Sequence, residues 1–113
     1  MLGFVFVLFL LAACGGVLML LLIAAGKNYP QWLGTGHGVF ALVCLCALFV
    51  VNLLGETATP AAAWWALGVF VAGFIGGMLL FRYLYKGRAT VPLVLLHGGL
   101  NTLGLVLLYN AAF

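Results

Sequence analysis

Four apolar stretches, each about as long as a bilayer is thick, leave this chain almost no choice of solvent. The first runs from about Leu2 to Ala25, and the second from the Pro30–Gly34 region to Asn52–Gly55. The third runs from Pro60 to about Tyr85, and the last from Thr90 or Pro92 to the C-terminus. A helix of roughly 20 residues spans about 30 Å of hydrocarbon. Backbone groups in lipid must be satisfied within the segment, and no barrel-type alternation is present, so each stretch is expected to be a helix. Composition closes the alternatives. Only 4% of the 113 residues are charged and 68% are hydrophobic, whereas a soluble domain carries about 25% charged residues and disorder needs low hydrophobicity with high charge. The expected fold is an all-α integral membrane protein of four transmembrane helices, forming one domain over residues 1–113.

The polar breaks are Gly26-Lys27-Asn28-Tyr29-Pro30, Glu56-Thr57-Ala58-Thr59-Pro60 and Lys86-Gly87-Arg88. Pro60 is well placed to open the third helix. Lys27 lies in the first loop and Arg82, Lys86 and Arg88 flank the third, while the second loop holds only Glu56. The positive-inside rule then puts the first and third loops in the cytoplasm and both termini outside, in the periplasm of a bacterial inner membrane. Four basic residues against one acid are too few to meet a nucleic acid. Trp32, Trp64, Trp65, Tyr29, Tyr83, Tyr85 and Tyr109 fall near segment ends, as an aromatic belt does. The Leu11-Ala12-Ala13-Cys14-Gly15 stretch has the look of a lipoprotein cleavage box. It lacks a basic start, and its apolar run continues through Val17–Ala25, so it reads as part of the first crossing.

The sequence repeats itself. Gly15-Gly16-Val17-Leu18-Met19-Leu20 is echoed by Gly76-Gly77-Met78-Leu79-Leu80-Phe81, and His37-Gly38 by His97-Gly98, with Pro30 and Pro92 ahead of the two histidines. The expected architecture is therefore two parallel, duplicated helical hairpins, residues 1–55 and 60–113. They would be related by an axis along the membrane normal.

Ionisable groups at membrane depth are costly and are functional by default, which singles out His37 and His97. Each falls about 8–10 Å inside the cytoplasmic face, at 1.5 Å per residue from its helix start. A twofold axis would turn the two imidazoles toward each other, the arrangement that ligates a haem iron from both sides. Gly34, Gly36 and Gly38 around His37, and Gly98 and Gly99 after His97, would let a flat macrocycle approach the backbone. Ala41, Cys44, Asn101 and Gly104 on the same faces are of modest size. Arg82, Lys86 and Lys27 lie where haem propionates would reach them, with snorkelling to headgroups the alternative for Arg82. Thr35 or a backbone carbonyl would fix the imidazole tautomer, and Asn101 would bond to His97 or across helices. The competing reading is that the histidines merely join helices. Quinone, a chlorophyll-type pigment and copper are further ligands, although two histidines alone make a weak copper or zinc site.

Gly15-Gly16 and Gly76-Gly77 are expected to mark close packing of the first and third helices. Asn52 and Asn110 are expected at the outer interface. Cys14, Cys44 and Cys46 match neither a zinc nor a redox spacing and read as small buried hydrophobes.

Length and helix count resemble the small multidrug resistance transporters. Those depend on a glutamate in the first helix, which is absent here, since Glu56 lies in a loop; the chain is not one of them. The stretch Leu95-Leu96-His97-Gly98-Gly99-Leu100-Asn101-Thr102-Leu103-Gly104-Leu105 resembles a segment of small bacterial inner-membrane proteins, a likeness that implies location and no activity. The expected function is a non-catalytic subunit binding haem b through His37 and His97, with Gly38, Gly98, Asn101 and Arg82 around the site. With both axial positions filled, electron transfer or haem handling is favoured over catalysis. The expected partners are the lipid bilayer and other membrane subunits or a second copy of the chain. A cofactor-free accessory subunit of a membrane complex is the alternative.

Overall fold

The computed structural model describes residues 1–86 and 89–113, and its regular structure is helical throughout. Helix α1 spans Leu2–Ala24, α2 Gln31–Leu54, α3 Ala61–Met78 and α4 Val91–Ala112. A 3-10 turn at Glu56–Ala58 links α2 to α3, and α3 runs on into a π-helical turn at Leu79–Leu84. All four helices, α3 taken with its π turn, are long and apolar enough to cross a membrane. Gly87 and Arg88, part of the third polar break, lie outside the described residues.

The helix ends follow from local chemistry. Gly26 sits at φ +71°, a left-handed conformation that costs glycine little. It lets the Lys27 N–H donate to the Leu22 carbonyl and the Gly26 N–H to the Ile23 carbonyl, a Schellman close for α1. Pro30 and Pro60 occupy the extended positions just ahead of α2 and α3. Pro92 lies in the first turn of α4, where no partner exists for a backbone N–H in any case.

The bundle is long and narrow, 46 × 23 × 22 Å. Helix α1 packs on α2 and α4, and α3 on the same two. The start of α1 meets the end of α4, with the Phe6 ring centre 5.7 Å from that of Tyr109 and 5.8 Å from that of Phe113. The end of α2 meets the start of α3, where the Asn52 side-chain amide donates to the Ala63 carbonyl at 3.1 Å.

Packing is uneven along this length. Val5, Phe9, Cys44, Leu45, Leu48, Ala66, Phe70 and Leu108 form one buried cluster, all in the half that holds the α2–α3 turn and both chain ends. Among the described residues, none in 13–43 or 74–103 is buried. The other half bears Lys27, Arg82, Lys86 and both histidines.

Two expectations change here. Asn52 is fully buried rather than interfacial, because its amide donates to the Ala63 carbonyl in the first turn of α3 and the Thr59 hydroxyl donates to the Asn52 backbone carbonyl at 2.7 Å. Of the cysteines only Cys44 is buried; Cys14 and Cys46 are exposed on outer helix faces.

Candidate functional site: a pair of facing histidines

His37 on α2 and His97 on α4 lie on diagonally opposed helices, and their ring centres are 6.5 Å apart with planes at 72°. No other basic or acidic side chain is placed within the bundle interior among the described residues; Arg82 and Glu56 are exposed. The seats for the rings come from the two other helices. A methyl group on Gly15 or Gly16 of α1 would come within 3.5 Å of the His37 ring. On Gly77 of α3 it would come within 2.8 Å of Cε1 and 3.1 Å of Nδ1 of His97. The glycine pairs thus receive imidazoles from α2 and α4, instead of bringing α1 and α3 together. Gly76 differs from its counterpart and faces open space.

Small residues continue these seats one turn further. Ala12 on α1 and Gly73 on α3 are both buried. Both histidine Nδ1 atoms are buried without a partner. A buried unpaired nitrogen is uncommon and calls for an explanation.

Asn101 does not bond the imidazole. Its amide donates to the His97 carbonyl at 2.8 Å, and its side chain fills the space over Gly73. Thr35 does not bond an imidazole either; its hydroxyl accepts from Arg82 at 3.0 Å. Gly38 and Gly98 follow the histidines directly, about 100° round the helix from them, and neither would bring a side chain within 4 Å of anything. Gly34 is covered by the Tyr29 ring at 3.0 Å, and Gly104 by Phe70. Two features of the site escaped sequence reasoning. One is the glycine seat of each ring, which the shared spacing of about sixty residues between the two Gly-Gly pairs and between the two His-Gly pairs encodes. The other is Phe81, whose ring centre stands 5.7 Å from that of His97 at 90° and which no motif announces.

The donor set limits what the pair can hold. Among the described residues no three His, Cys, Asp or Glu side chains come together, whereas a bare zinc ion takes three or four protein ligands. A metal held here would have two protein ligands and would need the rest supplied. With a metal–nitrogen bond of about 2.0–2.1 Å and a ring centre about 1 Å beyond, two imidazoles across one metal have centres about 6 Å apart, close to the separation found.

No protein-family model, curated protein or solved structure matches this chain.

Proposed function

We propose that this chain is a multi-pass membrane subunit that holds one haem b between His37 and His97, for electron transfer or haem handling within a larger membrane complex. The observation that supports this reading is an imidazole pair at single-metal spacing, brought together from two diagonally opposed helices. The residues fit the group. The macrocycle would supply the further metal ligands that two histidines alone lack. His37 and His97 would hold it, with the small residues Ala12, Gly15 and Gly16 of α1 and Gly76 of α3 on the neighbouring helices. When bound, the haem iron supplies a reversible one-electron change.

The chain's own contributions are ligation and enclosure. Each histidine would present one ring nitrogen to the metal, and a neutral imidazole needs its other N–H oriented, a role that backbone carbonyls of α1 and α3 would fill. The stacked Phe9 and Phe70 rings lie one helical turn beyond Ala12 and Gly73. Arg82, exposed on its helix, would meet a propionate. The two halves read as duplicated parallel hairpins in a bacterial inner membrane, with the loops carrying Lys27 and Lys86 cytoplasmic. Lipid and further membrane subunits, or a second copy, cover the exposed helix faces.

One observation favours the rival reading of a cofactor-free accessory subunit. The tight seat of His97 on Gly77 already gives that ring a packing role. Absorption spectra of the detergent-purified, haem-supplied chain, oxidised and then dithionite-reduced, decide between them. Sharp reduced bands of a six-coordinate b-type haem, lost in His37→Ala and in His97→Ala, are expected. A featureless spectrum from intact protein would leave the accessory role.

A further inference from the structure

The π-helical turn at Leu79–Leu84 is the one place where α3 departs from α-helical winding, with the Tyr85 N–H donating to the Leu80 carbonyl five residues back at 2.8 Å. Such turns are rare and concentrate at functional sites. Its two central residues reach different helices. The Phe81 ring stands edge-on to the His97 ring, 5.7 Å between centres at 90°. The next residue, Arg82, donates to the Thr35 hydroxyl at 3.0 Å, two residues ahead of His37 on α2. One turn of backbone thereby touches both histidine-bearing helices from the helix between them. The first half of the chain has no such device: the corresponding stretch, near Leu20 and Leu21, is ordinary α-helix. Among the described residues His37 accordingly has a glycine seat and no aromatic neighbour beyond His97 itself, while His97 has both a glycine seat and Phe81.

We infer that Phe81 and Arg82 are positioning residues for the imidazole pair, the π turn acting as a strap that fixes the His97 ring plane and the placement of α2 at His37. Neither residue ligates or reacts. The strap sets the spacing and the angle between the two rings. This rests on the histidine pair being the functional site, and not on haem being its ligand.

The test uses the full chain in bilayers or detergent with ¹⁵N-labelled histidine and no added haem. Ring-nitrogen NMR signals of His37 and His97 are compared in wild type, Phe81→Leu, Phe81→Tyr and Arg82→Gln. The expected result is a shifted or broadened His97 signal in Phe81→Leu that Phe81→Tyr restores, and a displaced His37 signal in Arg82→Gln. Unchanged ring signals in both Phe81→Leu and Arg82→Gln overturn the inference. Should Phe81→Leu fail to fold, Phe81→Tyr and Arg82→Lys still decide it: wild-type signals are expected in both, and shifts in both as large as those of Arg82→Gln would sink the strap. A haem-supplied sample gives a separate reading. Loss of the near-perpendicular bis-imidazole electron-spin-resonance signature in Phe81→Leu supports the strap. Absence of any haem signal in wild type defeats the haem reading alone, because the NMR comparison needs none.

Discussion

Phe9 of α1 and Phe70 of α3 stack face to face across the bundle diagonal, with ring centres 3.9 Å apart and planes within 8° of parallel. They occupy matching places in the two halves, sixty-one positions apart. Both are buried at the inner limit of the packed half, and Phe70 also fills the space over Gly104. The stack is the keystone where α1 and α3 touch.

Removing either ring should loosen the bundle while leaving the histidines in place. Phe→Ala in a core costs about 3–5 kcal/mol. The lower end of that range is expected for Phe9→Ala and Phe70→Ala, since lipid tails offer an exposed ring some of the same contacts. Unfolding in mixed detergent micelles measures it; a stability equal to wild type would deny the stack its role.

The glycine seats should differ in tolerance. Gly77→Ala pushes a methyl to 2.8 Å from the His97 ring, whereas Gly16→Ala meets His37 at 3.5 Å and Gly76→Ala meets nothing within 4 Å. Gly77→Ala is expected to displace the His97 ring and lower stability, with Gly16→Ala near neutral and Gly76→Ala neutral. The ring-nitrogen signals and micelle unfolding report this order, and equal effects at the three positions would contradict it.

Asn52 gains one hydrogen bond, to Ala63, and leaves its own Oδ1 buried and unpaired. Asn52→Ala should therefore cost only about 0.6–1.7 kcal/mol, the span of single polar contacts between membrane helices. A much larger loss in the same unfolding assay would mean that Oδ1 has a partner in the membrane.

Thiol accessibility should divide the cysteines. An apolar maleimide is expected to label Cys14 and Cys46 in the folded chain and Cys44 only after denaturation. Mass spectrometry of the labelled protein reads this directly, and early labelling of Cys44 would contradict its place in the core.

The helices were legible because their ends carry strong local signals. Gly26 and the three prolines break or open helices by backbone geometry alone, and the observed limits fall within a residue or two of those expected from them. The facing of His37 and His97 was legible too, through the repeat. What escaped depends on the third dimension. Asn52 sits near a segment end, where sequence alone reads an interfacial side chain; its burial comes from the Thr59–Pro60 turn folding α3 back over it. Gly38 and Gly98 adjoin the histidines in sequence yet point away from them, whereas Gly15, Gly16 and Gly77 are distant in sequence and touch the rings. The π turn at Leu79–Leu84 has no sequence signature. Cys14 and Cys46 look like core residues only in water; in a chain solvated by lipid an apolar side chain gains little by turning inward.

The uneven packing along the bundle axis carries a further consequence. Aromatic and aliphatic side chains are buried in one half down to the Phe9–Phe70 stack, and none of the described residues in 13–43 or 74–103 is buried, so the two ends of the bundle are held together unequally. Helix ends at the lysine-bearing side are thus expected to part first, while the α2–α3 turn and the two chain ends hold until the whole bundle unfolds.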